Sequence, residues 1–246
     1  MGLRAALGLK KHQKHSVDFR TNHVDAFDED EPLRVLYRKG IQAAQDGRSD
    51  NIHKQMRYFI LAQIAEQAAE RWSELDFAEC GCFYGHSTYM LASILGKKPG
   101  HGLLHVFDSF EGLSKFDAED QSSFRPDAES QEKIKSHFVS DYEKVRDTLS
   151  VFDFVRIYKG WIPNRFSEIG DRTFSFVSID VDMYQPTFDS IQFFYPRLAE
   201  GGLMYFDDYG YKDFPGARKA IDDYLATTSA PSLFVRLPSG SAFLRK

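Results

Sequence analysis

Two pairs of carboxylates close two successive apolar runs: Asp180-Val181-Asp182 follows Phe174 to Ile179, and Asp207-Asp208 follows Leu203 to Phe206. Runs of this length and composition read as short buried strands. In open α/β sheets the ligand crevice lies beyond the carboxyl ends of the strands, so all these carboxylates are expected to face one cleft. Like charges brought that close repel unless a cation or a shared proton relieves them, and hard oxygen donors suit Mg²⁺ or Ca²⁺. A lone strand-end aspartate more simply caps the next helix or turn. Two pairs at matched strand ends favour a metal centre over capping.

The elements that must position these acids alternate along the chain. Strands are expected at Asp76 to Glu79, Leu103 to Phe107, Phe152 to Tyr158, Phe174 to Ile179 and Leu203 to Phe206, and helices at His86 to Leu95, Thr187 to Leu198 and Gly216 to Leu225. Such alternation implies βαβ units and a parallel sheet. Leu233 to Leu237 and Ser241 to Leu244, joined by Pro238-Ser239-Gly240, read as an antiparallel hairpin on its edge. Upstream, Asn51 to Trp72 carries Ile52, Met56, Phe59, Ile60, Ile64 and Ala68 near helical spacing. That apolar side can cover the sheet or meet a second copy of the chain in a homo-oligomer. Connections in α/β domains are usually short, so the polar stretch from Glu111 to Asp147, with Phe116, Phe124, Pro126 and Phe138 in it, is expected to be an inserted lid over about 111–142. A surface loop followed by a helix from Ala128 to Leu149 is the plainer account of its second half.

The 246 residues, 42% of them hydrophobic, supply a sizeable core. A net charge of -5 argues against a nucleic-acid partner, which needs a basic face. No stretch is apolar enough for a membrane span. The segment Met1 to His15 lacks the continuous apolar core of a signal peptide and reads as a basic arm; with the acidic run Asp28 to Glu31 it belongs to an N-terminal arm and helical cap at 1–72, ahead of the main domain at 73–246. Cys80 and Cys82 share one side of a strand and have no metal-ligand company, which fits core thiols of a reduced, cytoplasmic protein. The histidines show no HExxH spacing, against a zinc hydrolase.

The first strand runs into Glu79-Cys80-Gly81-Cys82-Phe83-Tyr84-Gly85-His86-Ser87, a turn into a helix. Gly81 and Gly85 would let backbone approach a ligand, and the helix start offers free N–H groups. The spacing is not GxGxxG, so a ligand with a nucleoside end and an amino-acid end fits better than a pyrophosphate. Asp108, at the end of the second strand, stands where ribose hydroxyls are commonly gripped.

These segments, together with Asp108-Ser109-Phe110-Glu111-Gly112-Leu113, Lys159-Gly160, Asp180-Val181-Asp182-Met183-Tyr184, Tyr195-Pro196-Arg197-Leu198 and Gly201-Gly202 through Asp207-Asp208-Tyr209-Gly210 to Gly216-Ala217-Arg218-Lys219-Ala220, resemble the macrocin O-methyltransferase family from Phe77 to Leu225. The resemblance implies a class I methyltransferase fold: a doubly wound, mostly parallel seven-stranded α/β sheet of Rossmann-like type, with an antiparallel C-terminal hairpin and an N-terminal helical extension. It implies S-adenosylmethionine and Mg²⁺ as cofactors, and a hydroxylated small molecule, a sugar or phenolic natural product, as acceptor. Asp180, Asp207 and Asp208 are the implied metal ligands and Asp182 the candidate base. Glu79, Gly81, Ser87, Asp108, Ser109, Gly160, Trp161 and Asp180 are the implied cofactor contacts. Tyr184, Tyr195, Tyr205 and Tyr209 are expected to pack with hydrogen-bonded tips, Tyr209 being also a candidate to touch the acceptor; Arg218 and Lys219 are expected in solvated ion pairs. Two rivals are a nicotinamide-dependent oxidoreductase, disfavoured by the missing GxGxxG, and a non-catalytic S-adenosylmethionine-binding protein, disfavoured by the intact acids.

Overall fold

A computed structural model describes residues 31–123 and 127–246. The expected basic arm, most of the acidic run before Pro32, and Phe124 and Pro126 of the expected lid lie outside the described residues. The strands β1 (Asp76–Cys80), β2 (Leu104–Asp108), β3 (Val155–Lys159), β4 (Phe174–Ile179), β5 (Leu198–Phe206), β6 (Leu233–Arg236) and β7 (Ala242–Arg245) form one sheet in the order β3-β2-β1-β4-β5-β7-β6. The first five are parallel, and β7 lies antiparallel between β5 and β6. The chain builds outward from β1 in one direction and then, from β4, in the other, which creates a crevice where the two halves part.

One row of the register runs Phe107, Cys80, Ile179, Phe206 across β2, β1, β4 and β5. The next residues along each strand are therefore Asp108, Gly81, Asp180 and Asp207, all at the same edge of the sheet. Residues of β1 and β4 are buried on both faces, as central parallel strands must be. Period-2 alternation then divides them between two cores: Phe77, Phe176 and Tyr205 pack on one face, Ala78, Val177 and Met204 on the other. Burying a phenylalanine as fully as Phe77 or Phe194 is worth about 2–3 kcal/mol.

The first face is covered by α1 (Pro32–Ala44), α2 (Ile52–Arg71), α3 (His86–Leu95) and α5 (Tyr142–Leu149), the second by α6 (Tyr184–Arg197) and α7 (Pro215–Thr227). Helix α2 begins at Asn51, whose side chain accepts the Lys54 N–H at 2.9 Å. Its most buried stripe is Leu61, Ala62, Ala65, Ala68 and Ala69; of the expected residues Ala68 lies in it, Phe59, Ile60 and Ile64 pack half-buried at its edge, and Ile52 is exposed. Alanines let the helix lie close on α3 and the sheet, and that closeness outweighs the larger side chains' greater area.

Several boundaries differ from the sequence reading, β3 among them, which starts at Val155 rather than Phe152. The helix expected over Ala128 to Leu149 is two, α4 (Ala128–His137) and α5, because Asp141 caps the second through the Glu143 and Lys144 N–H groups and Val139 pairs with Glu111 as an isolated bridge. Strand β5 starts at Leu198, and α6 already at Tyr184. The segment expected to be a lid is docked on the domain: Leu113 and Phe116 pack with Met183 and Phe214. Asp120 in its 3₁₀ turn accepts the Tyr184 N–H at 2.8 Å, so it caps α6. Gly216 leaves the room for this, since a Cβ there would lie 1.8 Å from Asp120 Oδ1. No described helix is long and apolar enough to cross a membrane.

Candidate functional site

A cavity of about 1000 Å³ opens above the β1/β4 crevice. Of the residues expected to form the site, it is lined by Gly81, Ser87, Asp108, Ser109, Trp161, Asp180, Asp182 and Asp208. Glu79, Gly160 and Asp207 are absent from its walls, Glu79 and Asp207 being buried. α2, the 45–51 loop and the inserted segment close the sides, through Arg57, Tyr58, Arg48, Leu113 and Phe138 among others.

At one end the β1–α3 turn is held by Asp108. Its Oδ2 accepts the N–H groups of Cys82 (2.8 Å) and Phe83 (2.9 Å), and its Oδ1 accepts that of Phe110 (2.7 Å). A carboxylate has about four lone-pair sites. Asp108 is thus first an organiser of the turn, with roughly one acceptor site left for a ligand hydroxyl. Glu79 is buried and accepts hydrogen bonds from Thr88 and Ser87; burial, reinforced by the charges of Asp180 and Asp108, pushes its pKa up to about 8. Gly81 has φ +84°, and a Cβ there would lie 1.9 Å from the Asp180 carbonyl oxygen, so the strand ends meet with no room for a side chain. Gly85 takes the left-handed conformation immediately before α3. Ser109 Oγ accepts from Glu111 N and donates to the Gly112 carbonyl, closing the turn after β2. Gly160 is tied to the end of β2 by donating to the Asp108 carbonyl at 2.8 Å. Burial raises both thiols, Cys80 to about 12 and Cys82 well above its usual value, so both are uncharged core groups, as expected.

At the other end one carboxylate oxygen each from Asp180, Asp207 and Asp208 lies within 4.8 Å of the others. Asp182, buried beside them, adopts φ +58°. Burial raises the Asp208 pKa well above the carboxylate range, and the charges of Asp182 and Asp180 push the same way. Asp180 is raised too, by burial, against the pull of Arg57. Asp208 Oδ2 is buried with no hydrogen-bond partner among the described residues. An orphaned buried oxygen amid like charges is costly. Oxygens about 2.1–2.5 Å from a shared ion lie up to roughly 4–5 Å apart, so Mg²⁺ or Ca²⁺ fits this set.

Sequence reasoning missed Arg57. From α2 its guanidinium forks onto Asp207, Nε donating to Oδ1 at 3.0 Å and the second nitrogen to Oδ2. The available signal was a charge on the buried stripe, one turn before Leu61 and two before Ala65. Tyr205, on β5, reaches Asp207 Oδ1 (3.2 Å) and Ser241 Oγ (2.7 Å). Tyr209 does not meet its expectation as an acceptor contact: its hydroxyl donates to Asp222 on α7 at 2.8 Å, and Tyr211 lines the cavity instead. Residue 209 continues past the strand, where alternation no longer dictates direction. Arg218 and Lys219 pair with Asp222 and Asp223 on the surface, as expected.

The chain is similar to known O-methyltransferases. A curated relative, 8-demethyl-8-(2,3-dimethoxy-alpha-L-rhamnosyl)-tetracenomycin-C 4'-O-methyltransferase of Streptomyces olivaceus, is 26% identical over 160 residues, 61% of this chain and 57% of that protein. Demethyldecarbamoylnovobiocin O-methyltransferase of Streptomyces niveus is 26% identical over 156 residues, 61% of this chain and 58% of its own length. The chain thus spans less than two thirds of these relatives. Among solved structures, the O-methyltransferase NovP superposes with a TM-score of 0.63 at 22% identity, over 76% of this chain and 77% of that one. The calicheamicin methyltransferase CalS11 gives 0.62 at 17%, over 92% and 98%. At such identities these two carry the fold alone, and it is the class I methyltransferase fold. Residues 48–246 match the family described as Macrocin-O-methyltransferase (TylF), and since that is most of the chain, it belongs to that family.

Proposed function

We propose that the chain transfers the methyl group of S-adenosylmethionine to a hydroxyl of a small molecule, a sugar or phenolic group of a natural product, with Mg²⁺ held by Asp180, Asp207 and Asp208. The observation that carries this reading is the register row that delivers Asp108, Gly81, Asp180 and Asp207 to one edge of the sheet, the first three of them into the wall of one cavity. A sugar acceptor is supported by the rhamnosyl group in the tetracenomycin relative's name. The cavity's volume suits a cofactor and an acceptor side by side.

Bound S-adenosylmethionine supplies a sulfonium methyl, and bound Mg²⁺ lowers the pKa of a coordinated hydroxyl and fixes its position. The rest falls to the protein. Gly81, Ser87 and Ser109, which line the cavity, would hold the cofactor, and Trp161 would meet its adenine end. Asp182 would accept the acceptor's hydroxyl proton as the O–C bond forms and the sulfonium S–C bond breaks to leave S-adenosylhomocysteine, and its raised neighbour Asp208 would have to release any proton of its own to hold the ion. Leu113, Phe138 and Phe214 exclude water on the lid side.

The test is release of S-adenosylhomocysteine from a panel of rhamnosylated aglycones, nucleotide sugars and catechols, with Mg²⁺ and with chelator. Equal rates in both would remove the metal from the reading; no thermal stabilisation by S-adenosylmethionine would remove the reading itself.

Glu79 provides a second measurement. At about 8 its pKa leaves it mostly protonated at pH 7. An ammonium group of the cofactor beside it would draw that pKa down, so binding should release close to one proton at pH 7 and little above pH 9, where Glu79 is already ionised. Calorimetry in buffers of different ionisation enthalpy reads this release directly, and Glu79→Gln should abolish it. A binding enthalpy independent of buffer would show that Glu79 does not meet the ammonium.

A further inference from the structure

The three clustered aspartates are not equivalent. Asp207 is satisfied from the protein itself: the Arg57 fork covers both its oxygens and Tyr205 supports one of them. Asp208, in contrast, has an oxygen with no partner among the described residues. Arg57 is about a quarter exposed and Asp207 nearly buried, so this ion pair forms in a low-dielectric wall of the cavity, where a fixed charge is felt strongly. The guanidinium comes from α2, whereas all the carboxylates come from β4 and β5 and the loops after them. Among the described residues Asp180, Asp182, Asp207 and Asp208 cluster here against the paired Arg57, with the charge of Arg48 also felt at Asp180, which leaves charge enough for a divalent ion, but that ion must share Asp207 with a cation already in place.

Building on the metal centre proposed above, we propose that Arg57 is a resident counter-cation of that centre. It holds Asp207 in position and offsets part of the acidic charge when metal is absent, and it competes with the metal for Asp207 when metal enters. Metal binding then loosens the fork, and the ion's affinity is set from the helical cap as well as from its own ligands. The competition is electrostatic, so charge at position 57 matters more than shape.

Titration of Mg²⁺ into wild type, Arg57→Gln and Arg57→Lys by calorimetry tests this, with thermal melts in chelator and in Mg²⁺ alongside. Arg57→Gln should bind Mg²⁺ about tenfold more tightly or better, because a unit positive charge one carboxylate away has gone. Its melting point should fall in chelator and recover in Mg²⁺, whereas Arg57→Lys, which keeps the charge, should bind Mg²⁺ within about threefold of wild type. On wild type itself, Mg²⁺ should shift the Arg57 Nε–H nuclear resonance and speed its solvent exchange, a readout that survives even if Arg57→Gln fails to fold. Folded Arg57→Gln that binds Mg²⁺ no more tightly than wild type, or an Nε–H signal unmoved at saturation, overturns the counter-cation while leaving the metal centre standing. If neither wild type nor Arg57→Gln binds Mg²⁺ or Ca²⁺, the metal centre falls and the counter-cation with it.

Discussion

Asp208→Asn is expected to lose Mg²⁺ binding and most turnover while making the metal-free protein more stable. The first part follows from the ligand set: the amide nearly keeps the carboxylate's shape but removes one charge from the cluster of Asp180, Asp207 and Asp208. Turnover should drop by at least roughly a hundredfold, the scale on which one electrostatic stabiliser acts. The second part follows from linkage. Burial and the charges of Asp182 and Asp180 raise the Asp208 pKa in the folded chain. A raised carboxylate costs nothing below its unfolded pKa, costs progressively more as pH rises through the window up to the folded value, and costs most above it. At neutral pH the asparagine avoids that cost, so its melting point in chelator should exceed wild type's, and S-adenosylmethionine should bind as before. Asp182→Asn should instead keep Mg²⁺ and lose about 10²-fold or more in kcat, because a base acts in the transition state. Calorimetry with Mg²⁺, chelator melts and single-turnover rates separate these outcomes. An Asp208→Asn protein less stable than wild type in chelator would mean that Asp208 serves the fold.

Gly81→Ala should do what no aspartate substitution does: remove cofactor binding and metal binding together. Its Cβ would start 1.9 Å from the Asp180 carbonyl oxygen and 3.3 Å from Val181 Cγ1, at φ +84°. Backbone on both sides must move, since neither β1 nor β4 has slack in a doubly buried sheet. Overpacking and the left-handed backbone together cost about 3 kcal/mol or more, a fall of roughly 6–12 °C in Tm for a chain of this size. Parting the strand ends also displaces the β1–α3 turn from Asp108 and Asp180 from Asp208. A variant that melts within about 2 °C of wild type and binds S-adenosylmethionine normally would show that the crevice yields more easily than its contacts imply.

Much of this was readable from residue order. Acids at the ends of Phe174–Ile179 and Leu203–Phe206 needed only strand length and parallel pairing to be brought together, and both are local properties of an apolar run. Arg57 was legible only as a charge in line with Leu61 and Ala65, because its meaning depends on which face of α2 lies against β4 and β5, and alanines rather than the larger aliphatics line that face. The break between α4 and α5 was hidden for a similar reason. No Gly or Pro marks a break between His137 and Asp141, and it is the pairing of Val139 with Glu111, remote in sequence, that ends the first helix and leaves Asp141 to cap the second. At Asp108 the residue was legible and its partners were not: backbone N–H groups carry no side-chain signature, so three hydrogen bonds to the turns left no mark in the sequence.

The bond from the Tyr184 N–H to Asp120, in the hollow left by Gly216, bears on how the acceptor wall can be rebuilt. It fastens the first half of the inserted segment to the helix that starts directly after the acidic loop. A transplant of the whole insertion would pull on that helix and disturb the carboxylates along with the wall. A transplant joined beyond Asp120, exchanging α4 and its approach, keeps the rivet in place and changes only the surface contributed by Ile134, His137 and Phe138. The fold thus carries its own cutting line for chimaeras, and it lies between Asp120 and Asp127.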